Sequence, residues 1–97
     1  MCGITGQINF NEPVNKEVFQ SMTDTLVHRG PGGEGFFYST DKKIALGHRR
    51  LALIDLSEKG KQPMSNEDEG IWLTCNGEIY NYVELRATLE KAGHRFR

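Results

Sequence analysis

Apolar and polar residues alternate along residues 4–10, and a period of two is typical of a β-strand with one buried face. This strand would begin almost at the N-terminus, so that Cys2 lies at its entrance. The apolar positions of the alternation are Ile4, Gly6, Ile8 and Phe10.

A helical period follows between Asn15 and about Arg29. Pro13 lies just before this segment and Gly30-Pro31 just after it, which are typical helix boundaries. We expect the helix to cover one face of a sheet. Residues 30–35 are too rich in glycine and proline for a regular element and predict a tight loop. The apolar residues of the helix are Val18, Phe19, Met22 and Leu26.

The middle of the chain predicts further strands. Two short apolar runs, residues 36–39 and 44–46, are separated by four polar residues and predict a hairpin. The apolar run 51–56 predicts a buried strand. The polar segment 57–70, which contains glycine and proline, predicts a surface loop, and the apolar run 71–75 predicts a last strand.

A second amphipathic helix is predicted close to the end of the sequence. Asn81 can cap its start, with Glu84 in capping-box register, and Gly93 stands where a left-handed C-cap is expected. The order of elements is therefore strand, helix, several strands and helix. The apolar stripe of this helix consists of Tyr82, Leu85, Leu89 and Ala92.

Charge and cysteine content narrow the class of protein. The 97 residues carry 12 basic and 13 acidic side chains, so no strong field favours nucleic acid or an anionic membrane. The N-terminus lacks the features of a secretory signal, which makes the cytoplasm the expected compartment. The two cysteines and three histidines are wrongly spaced for a zinc site, and the acidic run 67–69 is most simply a solvated loop. No metal is expected.

Cys2 is the first candidate for chemistry. Removal of Met1 would free the α-amine of Cys2, and an α-amino group titrates near about pH 8. A useful fraction of such an amine is neutral and can accept the proton of the thiol, so that no histidine is needed as a base. Taken alone, a cysteine at position 2 is more simply a small residue without a catalytic role.

Asn76-Gly77 can direct two donors, the Asn76 amide and the Gly77 N–H, at one point, as an oxyanion hole requires. Asn-Gly is also the strongest signal for a two-residue hairpin. Arg50 can hold a carboxylate through two parallel hydrogen bonds, although paired arginines are usually solvated. Glu78 can accept from an amine or be a solvated turn residue. The residues by themselves leave these alternatives open.

Four segments span the chain: Met1-Cys2-Gly3-Ile4, His28-Arg29-Gly30-Pro31, residues 47–55 and residues 76–82. Together and in this order they resemble the class II glutamine amidotransferases and, among these, the glutamine-hydrolysing asparagine synthetases. The resemblance implies an α+β fold of the N-terminal nucleophile hydrolase type. That fold is an αββα four-layer sandwich, of which residues 1–97 would be the N-terminal half.

The resemblance also implies a role for each candidate residue. Cys2 would be the nucleophile that forms a γ-glutamyl thioester, and Asn76 and Gly77 would form the oxyanion hole. Arg50 and Glu78 would bind the α-carboxylate and the α-amine of glutamine. The other implied site residues are Leu51, Ala52, Leu53 and Ile54, which line the glutamine site through their backbone, and Arg29, Gly30 and Pro31 of a flap in which Gly32 replaces the usual aspartate.

The resemblance further implies a longer protein, in which residues 1–97 begin the amidotransferase domain and an ATP-dependent synthetase domain follows it. L-glutamine and that synthetase domain are then the expected partners. ATP and Mg²⁺ are expected in the synthetase domain, and no cofactor is expected in residues 1–97. The isolated segment is expected to be inactive. The alternatives are an amidotransferase of polysaccharide or secondary metabolism, a non-catalytic remnant, and a chain that folds only as a homodimer.

Overall fold

The computed structural model describes residues 2–50 and 61–96. Within these residues the chain forms a three-stranded sheet, a two-stranded sheet and two helices, the first of which packs on the larger sheet. In chain order the elements are β1 (Gly3–Ile8), α1 (Lys16–Asp24), β2 (Glu34–Tyr38), β3 (Ile44–Arg49), β4 (Met64–Ser65), β5 (Trp72–Leu73) and α2 (Tyr82–Lys91).

The larger sheet is antiparallel, with β3 in the centre between β1 and β2. The pairing of β2 with β3 confirms the predicted hairpin. Gly3 pairs with Arg49, so the first residue of β1 lies at the C-terminal end of β3. This register places Cys2 next to the segment that carries Arg50.

α1 covers one face of the larger sheet, as the sequence predicts. Phe19 is fully buried there and makes edge-to-face contacts with Phe36 and Tyr38 of β2, at 6.1 Å between ring centroids in each case. The hydroxyl oxygens of Thr5 on β1 and Thr23 on α1 lie 2.7 Å apart. The small core of the described residues therefore lies between α1 and this face.

The opposite face of the larger sheet is apolar but largely uncovered. Ile4 and Ile8 of β1 are 47% and 63% exposed, because the polar positions of β1 face α1 instead. Ile44 and Phe37 continue the same face on β3 and β2. Phe37 stacks on Trp72 of β5 with ring centroids 4.2 Å apart. The smaller sheet thus begins a second layer over this face.

α1 ends at Asp24, five residues before the boundary predicted near Arg29. The hydroxyl of Thr25 donates to the backbone carbonyl of Met22 at 2.7 Å. Threonine side chains that bond to the preceding turn compete with helix continuation. Residues 25–29 accordingly form tight turns closed by hydrogen bonds between residues three apart.

The polar segment before the last strand contains a strand, β4, that the sequence analysis missed. β4 and β5 pair antiparallel, and each has only two residues, so the predicted strand 71–75 is shorter than expected. Asn66 holds the turn between them, because its side chain accepts from the N–H of Ile71 at 3.0 Å. Two residues are too few to show a period. The predicted strand 51–56 lies outside the described residues.

α2 ends as the sequence predicts. Gly93 has φ 99°, and the N–H groups of Gly93 and His94 donate to the last helical turn in a Schellman motif. The predicted capping box is wrong, because the side chain of Asn81 makes no capping bond and its backbone lacks the extended conformation that such a bond needs. All residues of α2 are exposed. Neither helix of the described ranges is long and apolar enough to cross a bilayer.

Phe19 gives a test of this packing. Phe19→Ala removes a large apolar side chain of α1 that is fully buried against the larger sheet, and the free energy of unfolding should fall by about 3–5 kcal/mol. The neighbouring Val18 is 54% exposed on the same helix, so Val18→Ala should stay within about 0.5 kcal/mol of the parent. Denaturant unfolding of the complete gene product measures both variants. Equal losses would show that α1 does not pack as described.

Candidate functional site

The N-terminal end of β1 brings three of the predicted site residues together. Cys2 is half-buried at the entrance of the strand, and Arg29 donates through Nε to the backbone carbonyl of Cys2 at 3.4 Å. The register of β1 with β3 places Arg50 at the same end of the sheet. A candidate nucleophile and two guanidinium groups therefore lie at one edge of the structure.

The glycine-rich loop is attached to the end of β3. The N–H of Gly32 donates to the carbonyl of Arg50 at 2.9 Å, and the N–H of Arg50 donates to the carbonyl of Gly33 at 2.8 Å. Gly30 packs against the backbone of Arg49 so closely that a Cβ atom would overlap it. The tight loop is thus confirmed for residues 30–33, whereas Glu34 and Gly35 of the predicted loop already belong to β2. Position 30 requires glycine for this close approach.

Arg49 makes contacts that the sequence analysis missed. Its side chain is only 11% exposed, and its Nη1 lies 2.7 Å from Glu34 Oε2 and 3.8 Å from Asp24 Oδ1. Its Nε donates to the carbonyl of Gly30 at 3.2 Å. Arg49 therefore connects the end of α1, the start of β2 and the glycine-rich loop. A pair of arginines in sequence gives no sign that the first of them is buried.

The segment after β5 is held against β3. The hydroxyl of Thr74 donates to the carbonyl of Gly47 at 3.3 Å, and the N–H of Cys75 donates to Gln62 Oε1 at 2.7 Å. Cys75 is half-buried. Thr74 and Cys75 thus lie beside the end of β3.

Asn76 follows these anchored residues directly. The chain continues from Asn76-Gly77 into α2 and not into a paired strand, so the hairpin alternative is not realised in the described residues. Asn76, Gly77 and Glu78 are exposed, and the described contacts connect them to the site only through Cys75. The contact of Thr74 with Gly47 therefore places the start of this motif beside β3. Residues 51–54, which the resemblance adds to the site, lie outside the described residues.

His48 is buried at the centre of this arrangement, with 2% of its surface exposed. Desolvation lowers the pKa of His48 below the usual 6.5, hydrogen bonding to the carbonyl of Cys75 raises it, and the charge of Arg50 lowers it. The net direction is downward, so the imidazole is neutral near pH 7. Its Nε2 is buried without a hydrogen-bond partner among residues 2–50 and 61–96.

The lowered pKa of His48 predicts a pH dependence of stability. The unfolded chain binds a proton at His48 near pH 6.5, whereas the folded chain resists protonation until a lower pH. The contribution of neutral His48 to the free energy of unfolding is complete above about pH 6.5. It is lost as the pH falls towards the pKa of His48 in the folded chain. Melting temperatures from pH 7.5 to 5 should fall less steeply for His48→Gln than for the parent. Parallel curves would contradict the prediction.

The acidic run 67–69 serves local structure. Glu67 accepts from the N–H of Arg95 at 2.8 Å and lies 3.2 Å from His94 Nδ1, and these contacts lower its pKa, the Arg95 N–H most. Asp68 accepts from the N–H of Gly70 at 2.9 Å. The described ranges contain no group of three residues suited to a metal.

A cleft of about 880 Å³ lies between the β4–β5 hairpin and the end of α2. Trp72, Leu89 and Phe96 are among the residues that line it, and none of the predicted site residues does. The candidate site is therefore defined by residues at the end of β3 and not by this cleft.

Comparison with known sequences decides the family. The glutamine amidotransferase domain family matches residues 1–97. The chain belongs to this family. This confirms the resemblance that the four sequence segments show. No solved structure matches the chain.

Curated members of the glutamine amidotransferase family match the chain over nearly all of its length. It is 45% identical over 99% of its residues to glutamine-hydrolysing asparagine synthetase 1 of Bacillus subtilis, and 42% identical over 100% to asparagine synthetase 2 of the same organism. It is also 41% identical over 92% to amidase chry2 of Gibberella zeae. These matches cover 15%, 13% and 15% of the relatives, so the chain spans about one seventh of their length.

Proposed function

We propose that residues 1–97 belong to the glutaminase domain of an asparagine synthetase, which hydrolyses L-glutamine and supplies ammonia for the ATP-dependent amidation of aspartate. The observation that carries the proposal is that Cys2, Arg29 and Arg50 lie at one end of the larger sheet. Thr74, two residues before Asn76, is bonded to Gly47 of the same sheet. Family membership supports the reaction class, and the geometry supports the roles of the residues.

The first half of the reaction uses Cys2. Its Sγ attacks the side-chain amide carbon of glutamine, and the thiol proton passes to the α-amine exposed by removal of Met1. The new C–S bond forms as the carbonyl electron pair moves onto oxygen. Donors from Asn76 and Gly77 stabilise this oxyanion. When the intermediate collapses, the C–N bond breaks, the α-ammonium returns its proton to nitrogen, and ammonia leaves.

The second half hydrolyses the γ-glutamyl thioester on Cys2. The neutral α-amine takes a proton from water, and the resulting hydroxide attacks the thioester carbon. As the C–S bond breaks and glutamate leaves, the α-ammonium returns its proton to the thiolate of Cys2. Arg50 holds the α-carboxylate of the substrate in a bidentate pair, and Glu78 accepts from its α-amine. The loop at Gly30-Pro31 covers the site and delays water until ammonia has moved to the synthetase domain.

The uncovered sheet face supports the four-layer part of the proposal. Ile4, Ile8 and Ile44 expose an apolar surface that a second sheet can bury, and the stacking of Phe37 on Trp72 supports a second sheet that starts at β5. In the complete domain, further strands of the same polypeptide extend this second sheet. A helix layer on its far side then gives the αββα arrangement.

Amide-¹⁵N glutamine tests the proposal on the complete gene product. We expect ¹⁵N-labelled ammonia and unlabelled glutamate in equal amounts. Acid quenching during turnover should trap a γ-glutamyl group on an N-terminal peptide that begins with Cys2. No turnover would reject the proposal and would favour a non-catalytic remnant. An acyl group on Cys75 would reject the assignment of the nucleophile.

A second candidate function differs only in the molecule that accepts the ammonia. It has support in the comparisons, because amidase chry2 is about as similar to the chain as the asparagine synthetases are. In this alternative the glutaminase chemistry is unchanged and ammonia reaches a different acceptor. Incubation with glutamine, ATP, Mg²⁺ and aspartate separates the two. Formation of asparagine identifies the synthetase, whereas glutaminase turnover without asparagine identifies the alternative.

A further inference from the structure

We propose that Arg49 is a positioning residue for glutamine binding. Its side chain ties both ends of the glycine-rich loop to β3 and thereby fixes Arg50, which holds the α-carboxylate of the substrate. The inference rests on the proposed function, because it assigns a purpose to Arg49 in that same site. Arg49 itself does not contact glutamine in this proposal.

The side chain of Arg49 contacts both ends of the loop. Its Nε donates to the carbonyl of Gly30, where the loop begins, at 3.2 Å. Its Nη1 donates to Oε2 of Glu34 at 2.7 Å, and Glu34 is the first residue of β2 and the sheet partner of Arg49. One guanidinium group therefore closes the base of the loop.

The loop is in turn bonded to the backbone of Arg50. The N–H of Gly32 donates to the carbonyl of Arg50, and the N–H of Arg50 donates to the carbonyl of Gly33. Because each of these groups belongs to a planar peptide unit, a displaced loop would rotate the peptide units on both sides of Arg50. The direction in which the Arg50 side chain leaves the backbone would change with them. Arg49 thus acts on Arg50 through the loop.

The surroundings of Arg49 favour positioning over direct attraction of the substrate. Only 11% of its side chain is exposed, and its Nη1 lies 2.7 Å from a carboxylate oxygen of Glu34 and 3.8 Å from one of Asp24. Its charge is therefore balanced within the protein. The guanidinium fork donates in two fixed directions, to Gly30 and to Glu34, whereas a lysine ammonium is a single point of charge.

Steady-state glutaminase kinetics of the complete gene product test the proposal. Arg49→Met removes both contacts with the loop and should raise KM for glutamine about tenfold with kcat within about threefold, because Arg50 then binds the substrate less well. Arg49→Lys keeps the charge without the fork and should raise KM at least about threefold. Arg86→Met is the matched control, because Arg86 pairs with Glu90 on the exposed surface of α2, and both constants should stay within about twofold of the parent.

Glu34→Ala separates positioning from simple attraction of the substrate carboxylate, because the two explanations predict opposite signs. If Arg49 must be held against the loop, loss of its carboxylate partner raises KM at least about threefold. If Arg49 only adds positive charge to the site, loss of a neighbouring negative charge strengthens the field and lowers KM. A raised KM supports the proposal, and an unchanged or lower KM overturns it.

The division between KM and kcat also excludes a purely structural role. Such a role would reduce the amount of folded protein and with it the apparent kcat, but would leave KM unchanged. A KM of Arg49→Met raised less than about threefold would overturn the proposal, and so would a KM of Arg49→Lys equal to that of the parent. If Arg49→Met does not fold, Glu34→Ala decides. Absent turnover in the parent protein would reject the proposed function and this inference with it, whereas an unchanged KM in active variants overturns this inference alone.

Discussion

Replacing Cys2 by alanine is expected to lower glutamine-dependent product formation by more than about 10⁴-fold, because removal of the nucleophile eliminates the thioester route. Ammonia-dependent synthesis should remain near the parent level, since free ammonia bypasses the glutaminase domain. Parallel assays of the complete gene product with glutamine and with ammonium chloride measure the two activities. The difference between them isolates the chemistry at residue 2.

Cys75→Ala is the matched control for the nucleophile. Cys75 is the other cysteine of residues 1–97 and contributes to the site through its backbone, which alanine preserves. We expect both activities of this variant within about threefold of the parent. If Cys2→Ala still used glutamine, or if Cys75→Ala lost glutamine use with Cys2 intact, the assignment of Cys2 as the nucleophile would be contradicted.

Replacing Asn76 by alanine is expected to lower kcat for glutamine hydrolysis about 10²- to 10³-fold with little change in KM. The side-chain amide of Asn76 would donate to an oxygen that carries negative charge only after attack, so its loss raises the barrier and leaves ground-state binding largely intact. Initial rates over a range of glutamine concentrations give kcat and KM separately.

Asn81→Ala is the control for Asn76. Asn81 lies on the same exposed segment, at the start of α2, and its side chain makes no capping bond in the structure. This variant should keep kcat within about twofold of the parent. A rise in KM for Asn76→Ala at constant kcat would show that Asn76 binds the substrate and does not stabilise the oxyanion.

The sequence predicted the elements whose residues repeat over several turns or pleats. β1 and α1 follow from periods of two and 3.6 residues, the β2–β3 hairpin follows from two short apolar runs around four polar residues, and the end of α2 follows from Gly93. The end of α1 and the strand β4 were missed, because a threonine back-bond and a two-residue strand leave no periodic trace.

The candidate site, like the fold, was predicted from the sequence only in part. The sequence by itself determined which groups are available: a thiol at residue 2, the Asn76-Gly77 donors and the guanidinium of Arg50. Only the tertiary structure showed that the side chains of Arg49 and His48 are largely buried. The antiparallel register of β1, β2 and β3 and the contacts of Thr74 and Gln62 join residues far apart in sequence. Local periodicity cannot report such contacts, because they depend on how the elements pack and not on the order of residues within any one of them.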